Sequence, residues 1–310
     1  MSRWNPFDYF FLLRPLILIP VWNFLLIGAY LARGRGGFNG DIYLGLFLYT
    51  CVMGGVYILN QIMDRETDKV NNKLFLLSMG YIPVKFAYIE MIVLWIIALV
   101  LSLLYGIIFV LAITFSILLG ILYSLPPVKL KGKPVLDTLA NGFGYGMVNC
   151  MVGWLLVSPY SPDMFYHFFP YVLSISAVFV NTTIVDMEGD RKAGEHTTAV
   201  LLGVPSAYMV STILMVAAIF WAYVNRDLVC LIPAVISLPL FIFVLIYAMK
   251  TQRISRKWTI ASFRIPGLLF TLVTVYLYPS YAVFLILLII AMRAYYKKRF
   301  NMVYPTVSGG

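Results

Sequence analysis

Residues 45–68 read GLFLYTCVMGGVYILNQIMDRETD, a largely apolar run that passes straight into Asn60, Asp64, Glu66 and Asp68. The apolar part has the length and character of a membrane helix, and the acids follow at its end. Charges so close to hydrocarbon are costly and call for a partner or a function. The rest of the chain supplies candidates for both.

Of 310 residues, 62% are hydrophobic and only 12% charged, against about a quarter charged in ordinary soluble domains. Mean hydropathy is +0.89. These values point to a membrane protein. Its net charge of +10 then reads as topology rather than as a nucleic-acid footprint, because Lys and Arg collect in cytoplasmic loops. Cys51, Cys150 and Cys230 stand singly in apolar runs with no paired spacing, as core side chains do. The first hydrophobic run lacks a small-residue cleavage site, so it is expected to stay as the first membrane helix.

Hydropathy predicts helices over 15–32, 42–62, 82–104, 107–122, 136–157, 168–185, 206–224, 228–249, 261–278 and 280–295. The last two are parted only by Pro279 and Ser280, as a tight hairpin or one broken segment. Ten crossings place 20 of the 23 basic residues on one side, leaving Arg33, Arg35 and Arg226 opposite. The positive-inside rule therefore prefers both termini in the cytoplasm. No soluble domain remains, so residues 1–310 are read as one integral-membrane domain. Its polar loops at 64–81, 123–135 and 186–205 fall on the cytoplasmic side and carry nearly every unusual residue.

Asn60, Asp64 and Asp68 are spaced i, i+4, i+8, which forms one stripe along a helix. Asp186 and Asp190 repeat the four-residue spacing in VNTTIVDMEGDRKAGEHT, with Glu188 on another face. If the two stripes face each other, the crowded carboxylates suit a hard divalent cation, and Mg²⁺ is commonly held by a few carboxylates plus substrate phosphate oxygens. Lys73, Lys129, Lys131 and Arg191 lie close in sequence and would suit the phosphate. Each cluster alone reads as a solvated helix end, and Lys129, Lys131 and Lys133 alone as topology residues. Together they favour a metal-bridged diphosphate site at a membrane surface. In the middle loop, YSLPPVKLKGKPVLDTLANG, Pro126-Pro127 ends the fourth helix and the lysines are expected on an extended piece. Tyr123 can offer its hydroxyl inward there. His167 and His196 show no ligand spacing, and Asp163 reads as a loop residue near the opposite surface.

These motifs resemble the UbiA superfamily of intramembrane prenyltransferases over nearly the whole chain. Its N-x-x-x-D-x-x-x-D signature is met by Asn60, Asp64 and Asp68. D-x-E-G-D-R-x-x-G is met by Asp186, Glu188, Gly189, Asp190, Arg191 and Gly194, with Thr197 following. YS-x-PP-x-K/R-x-K is met by Tyr123, Ser124, Pro126, Pro127, Lys129 and Lys131, and an early Arg14-Pro15 pair also fits. The resemblance implies an all-α bundle of nine to ten membrane helices around a central cavity. It implies Mg²⁺ held by Asp64, Asp68, Asp186 and Asp190, with Asn60 in the same polar cluster. It further implies diphosphate contacts from Lys73, Lys129, Lys131 and Arg191, and help from Tyr123 in binding or activating the leaving group. The chain departs from the pattern at Gln61, where an Asp is frequent, at NNKLFLLSMGYI, which lacks an expected Arg and Pro, and at Thr183. It also exceeds the usual nine helices in its tenth segment and basic tail.

The expected activity is Mg²⁺-dependent transfer of a prenyl group from an isoprenyl diphosphate to a hydrophobic, aromatic or lipid acceptor within the membrane. Membrane lipid is an expected partner and nucleic acid is not; the membrane is the cell membrane if the source is prokaryotic. A terpene cyclase or prenyl diphosphate hydrolase would use the same site. A carboxylate-lined cation transporter or a non-catalytic scaffold are readings of another class. Acids gathered at one surface, with no charge near mid-membrane in the segments read, argue against the transporter.

Overall fold

The computed structural model describes residues 5–33, 40–70, 75–192 and 194–304. Lys73, one of the expected diphosphate contacts, lies outside them. The described elements are α1 (Phe7–Leu12), α2 (Pro15–Arg33), α3 (Gly40–Met63), α4 (Arg65–Val70), α5 (Phe75–Ser78), α6 (Val84–Ser102) and α7 (Ile107–Ser124). After the middle loop come α8 (Leu136–Asn141), α9 (Asn149–Leu155), α10 (Met164–Lys192), α11 (Thr198–Leu202), α12 (Val204–Val224), α13 (Leu228–Thr251), α14 (Arg256–Leu277) and α15 (Ser280–Phe300). No strand occurs among the described residues.

Nine of these helices are long and apolar enough to cross a membrane. The segment expected over 136–157 is helical too, but its hydrogen-bond ladder widens to π geometry over Gly142–Val148, between α8 and α9. Its three parts run on without a gap, so each of the ten expected segments is helical, nine of them as candidate membrane spans. The final pair is a hairpin rather than one broken helix. Tyr278 at the turn lies beside Tyr30 near the end of α2. From there α15 runs back along α2, with Phe284 edge-on to Trp22 (5.0 Å), and reaches α1, where Tyr295 stacks on Phe11 (3.8 Å).

Ile92, Val93, Ile96, Val100, Leu103 and Leu104 on and after α6 are all exposed. Such a continuous apolar surface is rare on a soluble monomer and is what lipid-facing helices require. Inside the bundle, attraction comes from close packing and interhelical hydrogen bonds. A Cβ on Gly28 would lie 2.0 Å from the Cys150 carbonyl oxygen, and one on Gly153 would lie 1.8 Å from that of Leu25. Only glycine lets α2 and α9 approach this closely. Asn23 donates to Thr271 (2.8 Å), joining α2 to α14, and Asn181 donates to Ser262 (2.9 Å), joining α10 to α14.

Candidate active site

At the end of α3 the helix is interrupted only in name. The Asp64 N–H donates to the Asn60 carbonyl (2.9 Å) and the Asp68 N–H to that of Asp64 (2.8 Å). The four-residue ladder thus carries the expected stripe from α3 into α4. Asp68 is 9% exposed and Asp64 half-buried. Glu66 belongs to a different face: it is exposed, and a hydrogen bond from Arg65 (2.5 Å), with the attraction of that cation, holds its carboxyl below the usual range.

Asn60 and Asp64 line a cavity of about 350 Å³ enclosed by α2, α3, α7 and the α8–α9 segment. The same face of α3 contributes Tyr49, Met53, Val56 and Tyr57. Opposite stand Asn141, Tyr145 and Asn149; the wide i→i+5 turn between α8 and α9 keeps these residues, four apart, along one wall. Tyr57 and Tyr145 share a hydrogen bond across the cavity (2.6 Å), and Tyr49 donates to Asn149 (2.7 Å) farther in. Tyr123 lines the cavity from α7 with its hydroxyl bonded to Asn141. The expectation that it faces inward is met.

The middle loop differs from the extended piece expected. Lys129 takes left-handed geometry (φ 39°), and Leu130–Gly132 form a single 3₁₀ turn closed by the Gly132 N–H on the Lys129 carbonyl (3.2 Å). The turn sends the two lysines in different directions. Lys131 points into the cavity mouth and pairs with Asp64. Lys129 reaches Glu195 in the third loop (2.7 Å), and the His196 N–H donates to the Gly132 carbonyl (3.2 Å). On an extended strand residues two apart share one face, so Lys129 and Lys131 could not reach these different partners without the turn.

At the end of α10, Asp186, Glu188 and Arg191 are exposed, while Asp190 is half-buried and accepts from Thr197 (3.1 Å). Asp186, Glu195 and Asp137 all lie within electrostatic range of Asp190. The loop's seat is Asp137, wholly buried on α8, which accepts from the Thr198 backbone (2.9 Å), its hydroxyl and Thr138. The middle loop therefore joins the first acidic stripe, through Asp64, to the third loop that follows the second stripe, through Glu195 and His196. Among the described residues no three Asp, Glu, His or Cys side chains are grouped closely enough to hold a metal ion by themselves.

Sequence reasoning did not single out Asp137, Glu195, Asn141 or Tyr145, and took Arg14 only as part of a motif. Arg14 lines the cavity. The one local signal was that Glu195 is an acid inside the 186–205 loop and Asp137 one just past the 123–135 loop; their partners lie more than 60 residues away in the chain.

A family model described as the UbiA prenyltransferase family matches residues 21–265. The digeranylgeranylglyceryl phosphate synthase of Sulfolobus acidocaldarius is 29% identical over 187 residues, which cover 59% of this chain and 65% of that protein. The match thus spans just under two thirds of that relative's length. The synthase of the same name from Methanosphaera stadtmanae is 22% identical over 275 residues, covering 87% and 97%. A UbiA homologue from Archaeoglobus fulgidus, solved with GPP and Mg²⁺, superposes with a TM-score of 0.69 at 20% identity, covering 87% of this chain and 99% of that one.

Proposed function

The chain belongs to the UbiA prenyltransferase family, and on that premise we propose that it transfers a prenyl group from an isoprenyl diphosphate to a hydrophobic, aromatic or lipid acceptor within the membrane, using Mg²⁺. The observation that carries this reading is the cavity itself: Asn60, Asp64, Tyr123 and Lys131 at its mouth lead into a largely apolar and phenolic interior. A diphosphate headgroup needs the former and an isoprenoid tail the latter. Relatives named as digeranylgeranylglyceryl phosphate synthases and a neighbour solved with GPP and Mg²⁺ support it.

The donor set fits Mg²⁺. Paired carboxylates, Asp64 with Asp68 and Asp186 with Asp190, are hard oxygen ligands of the kind that share an ion with substrate phosphate oxygens. Those four residues would hold it, and when bound it neutralises charge on the diphosphate. Lys131 then adds a cation to the same oxygens, exchanging its partner Asp64 for phosphate, while Lys129 and Arg191 contribute charge from farther out; Lys73 is carried as a diphosphate contact on the sequence resemblance alone. The Tyr123 hydroxyl, oriented by Asn141, donates to the leaving group. As the allylic C–O bond breaks, its electron pair goes to the diphosphate oxygen. The acceptor's electron pair forms the new bond to that carbon, and the acceptor loses a proton. Fixed positive charge favours the first event, and an apolar cavity keeps water from the incipient cation. The three loops are assigned to the cytoplasmic side on the distribution of Lys and Arg.

Purified protein with labelled geranylgeranyl diphosphate, with and without Mg²⁺ and over a panel of acceptors, tests the reading. Diphosphate release that needs both metal and an acceptor is the expected result. Metal-dependent release without any acceptor would favour a cyclase or hydrolase instead. No release with shorter, equal or longer prenyl donors would overturn the proposal.

A further inference from the structure

Neither α1 nor α15 lies within the residues matched by the family model, and the two are locked together. Asp8 of α1 is 1% exposed. It accepts from the Tyr295 hydroxyl (2.6 Å) and pairs with Arg299 (2.8 Å), both on α15. A carboxylate buried so deeply is tolerated only when charge and hydrogen bonds compensate its lost hydration. Phe11, one turn along α1, stacks on the Tyr295 ring with the planes 14° apart. The end of α1 is held from the other direction by the acidic-stripe helix, where Gln61 donates to the Leu12 carbonyl (2.8 Å). Arg299 also lies over the ring of Tyr81 (4.8 Å), at the end of the 64–81 loop, and Phe300 meets that ring edge-on (5.2 Å).

Two residues beyond α1 stands Arg14, whose backbone is left-handed (φ 56°). That conformation is unfavourable for a residue with a side chain and persists where the surroundings over-determine it. Its N–H donates to the carbonyl of Phe11 (3.1 Å), the residue stacked on Tyr295. Its side chain lines the cavity. The guanidinium lies within electrostatic range of Tyr57 and Tyr145 on the cavity walls, and of Tyr296 and Tyr304 from α15 and the segment after it. Tyr296 and Tyr304 are themselves in ring contact (4.8 Å).

We infer that Asp8, Tyr295 and Arg299 are positioning residues: through them α15 fixes α1 so that Arg14 presents its guanidinium to an anionic or oxygen-bearing group of a substrate in the cavity. Gln61, where the family pattern frequently has Asp, completes the hold from α3. The tenth helix is on this account part of the catalytic apparatus without touching substrate. The inference rests on the prenyl-transfer reading of the cavity.

Steady-state kinetics of the full chain test it, with donor and acceptor varied separately, for Arg14→Ala, Asp8→Asn, Tyr295→Phe and the double variant Arg14→Ala/Tyr295→Phe. Arg14→Ala should raise KM for one of the two substrates by about tenfold or more, as loss of a charge-assisted contact does. Asp8→Asn and Tyr295→Phe should raise KM for that same substrate by roughly three- to tenfold, with kcat changed less than about twofold. In the Arg14→Ala background Tyr295→Phe should add nothing, because both changes remove one interaction. A merely structural role would instead lower melting temperature and active fraction, leave KM alone, and combine additively with Arg14→Ala. An unchanged KM, or additivity with Arg14→Ala, overturns the inference. If Asp8→Asn fails to fold, Tyr295→Phe decides, since it deletes a single hydroxyl. A wild-type protein inactive with every prenyl diphosphate defeats the parent reading. An active wild type whose KM is indifferent to Tyr295→Phe defeats this inference alone.

Discussion

Asp64–Asp68 and Asp186–Asp190 have the same four-residue spacing and each closes a membrane helix, yet their surroundings differ. The first pair continues α3 outward from the cavity, with Asp64 on its lining and engaged by Lys131 and Asp68 buried beyond it. The second ends α10 at a more open tip, where Asp186 is exposed and Asp190 has Thr197 as a hydrogen-bond partner. Equal spacing thus yields one pair confined by neighbours and one with room around it. If both pairs serve one diphosphate, the confined pair sets its position and the open pair adapts to it.

The largest effect should come from deleting a carboxylate of either pair. Asp64→Ala and Asp186→Ala are each expected to lower diphosphate release by about 10³-fold or more, and chelation of divalent metal should do the same to the wild type until Mg²⁺ is restored. Ordinary turnover in either variant would remove that residue from the site. Lengthening the side chains should then separate the pairs. Asp64→Glu pushes an extra methylene into a confined wall and should cost about 10²-fold, since misplacement near 1 Å costs that much; Asp186→Glu, with solvent beside it, should cost roughly tenfold or less by the same reasoning. Equal losses in a direct rate comparison would mean that exposure does not distinguish the pairs.

A smaller difference is expected between the lysines that join them. Lys131→Ala removes the cation at the cavity mouth and should raise KM for the prenyl donor by about ten- to a hundredfold. Lys129→Ala removes a partly exposed pair with Glu195 (side-chain exposures 38% and 23%), and a shift of only a few-fold is expected from so solvated a bond. The reverse order in donor titrations would show that Lys129, not Lys131, meets phosphate. Least of all, Asp163→Ala, in the turn before α10 and at the far end of that helix from Asp186, should leave rate and melting temperature nearly unchanged, as surface substitutions do. A marked loss there would break the assignment of function to one end of the bundle.

Much of this arrangement was legible in local sequence. Runs of apolar residues long enough to span a bilayer announced the helices, and the i, i+4, i+8 recurrence announced the acidic stripe. The middle loop was misread in shape because alternation of lysines suggests an extended piece, whereas the turn is imposed by acids more than 60 residues away, Asp64 on one side and Glu195 on the other. The Asp137 seat was invisible for a similar reason: nothing near KPVLDT signals that Thr198 will cap its carboxylate.

The sequence by itself determined which segments are long and apolar enough to cross a membrane, which helix ends carry acids four residues apart, and that basic residues lie near them in the chain. Hydrophobic length and helical periodicity are properties of neighbouring residues, so they survive without knowledge of the fold. Only the tertiary structure decided that Lys131 rather than Lys129 enters the cavity, that Arg14 lines it, and that Tyr295 closes on Asp8 across 287 residues of chain. Such pairings depend on how whole helices are placed, and the close contact of α2 with α9 at Gly28 and Gly153 and the return of α15 along α2 set that placement.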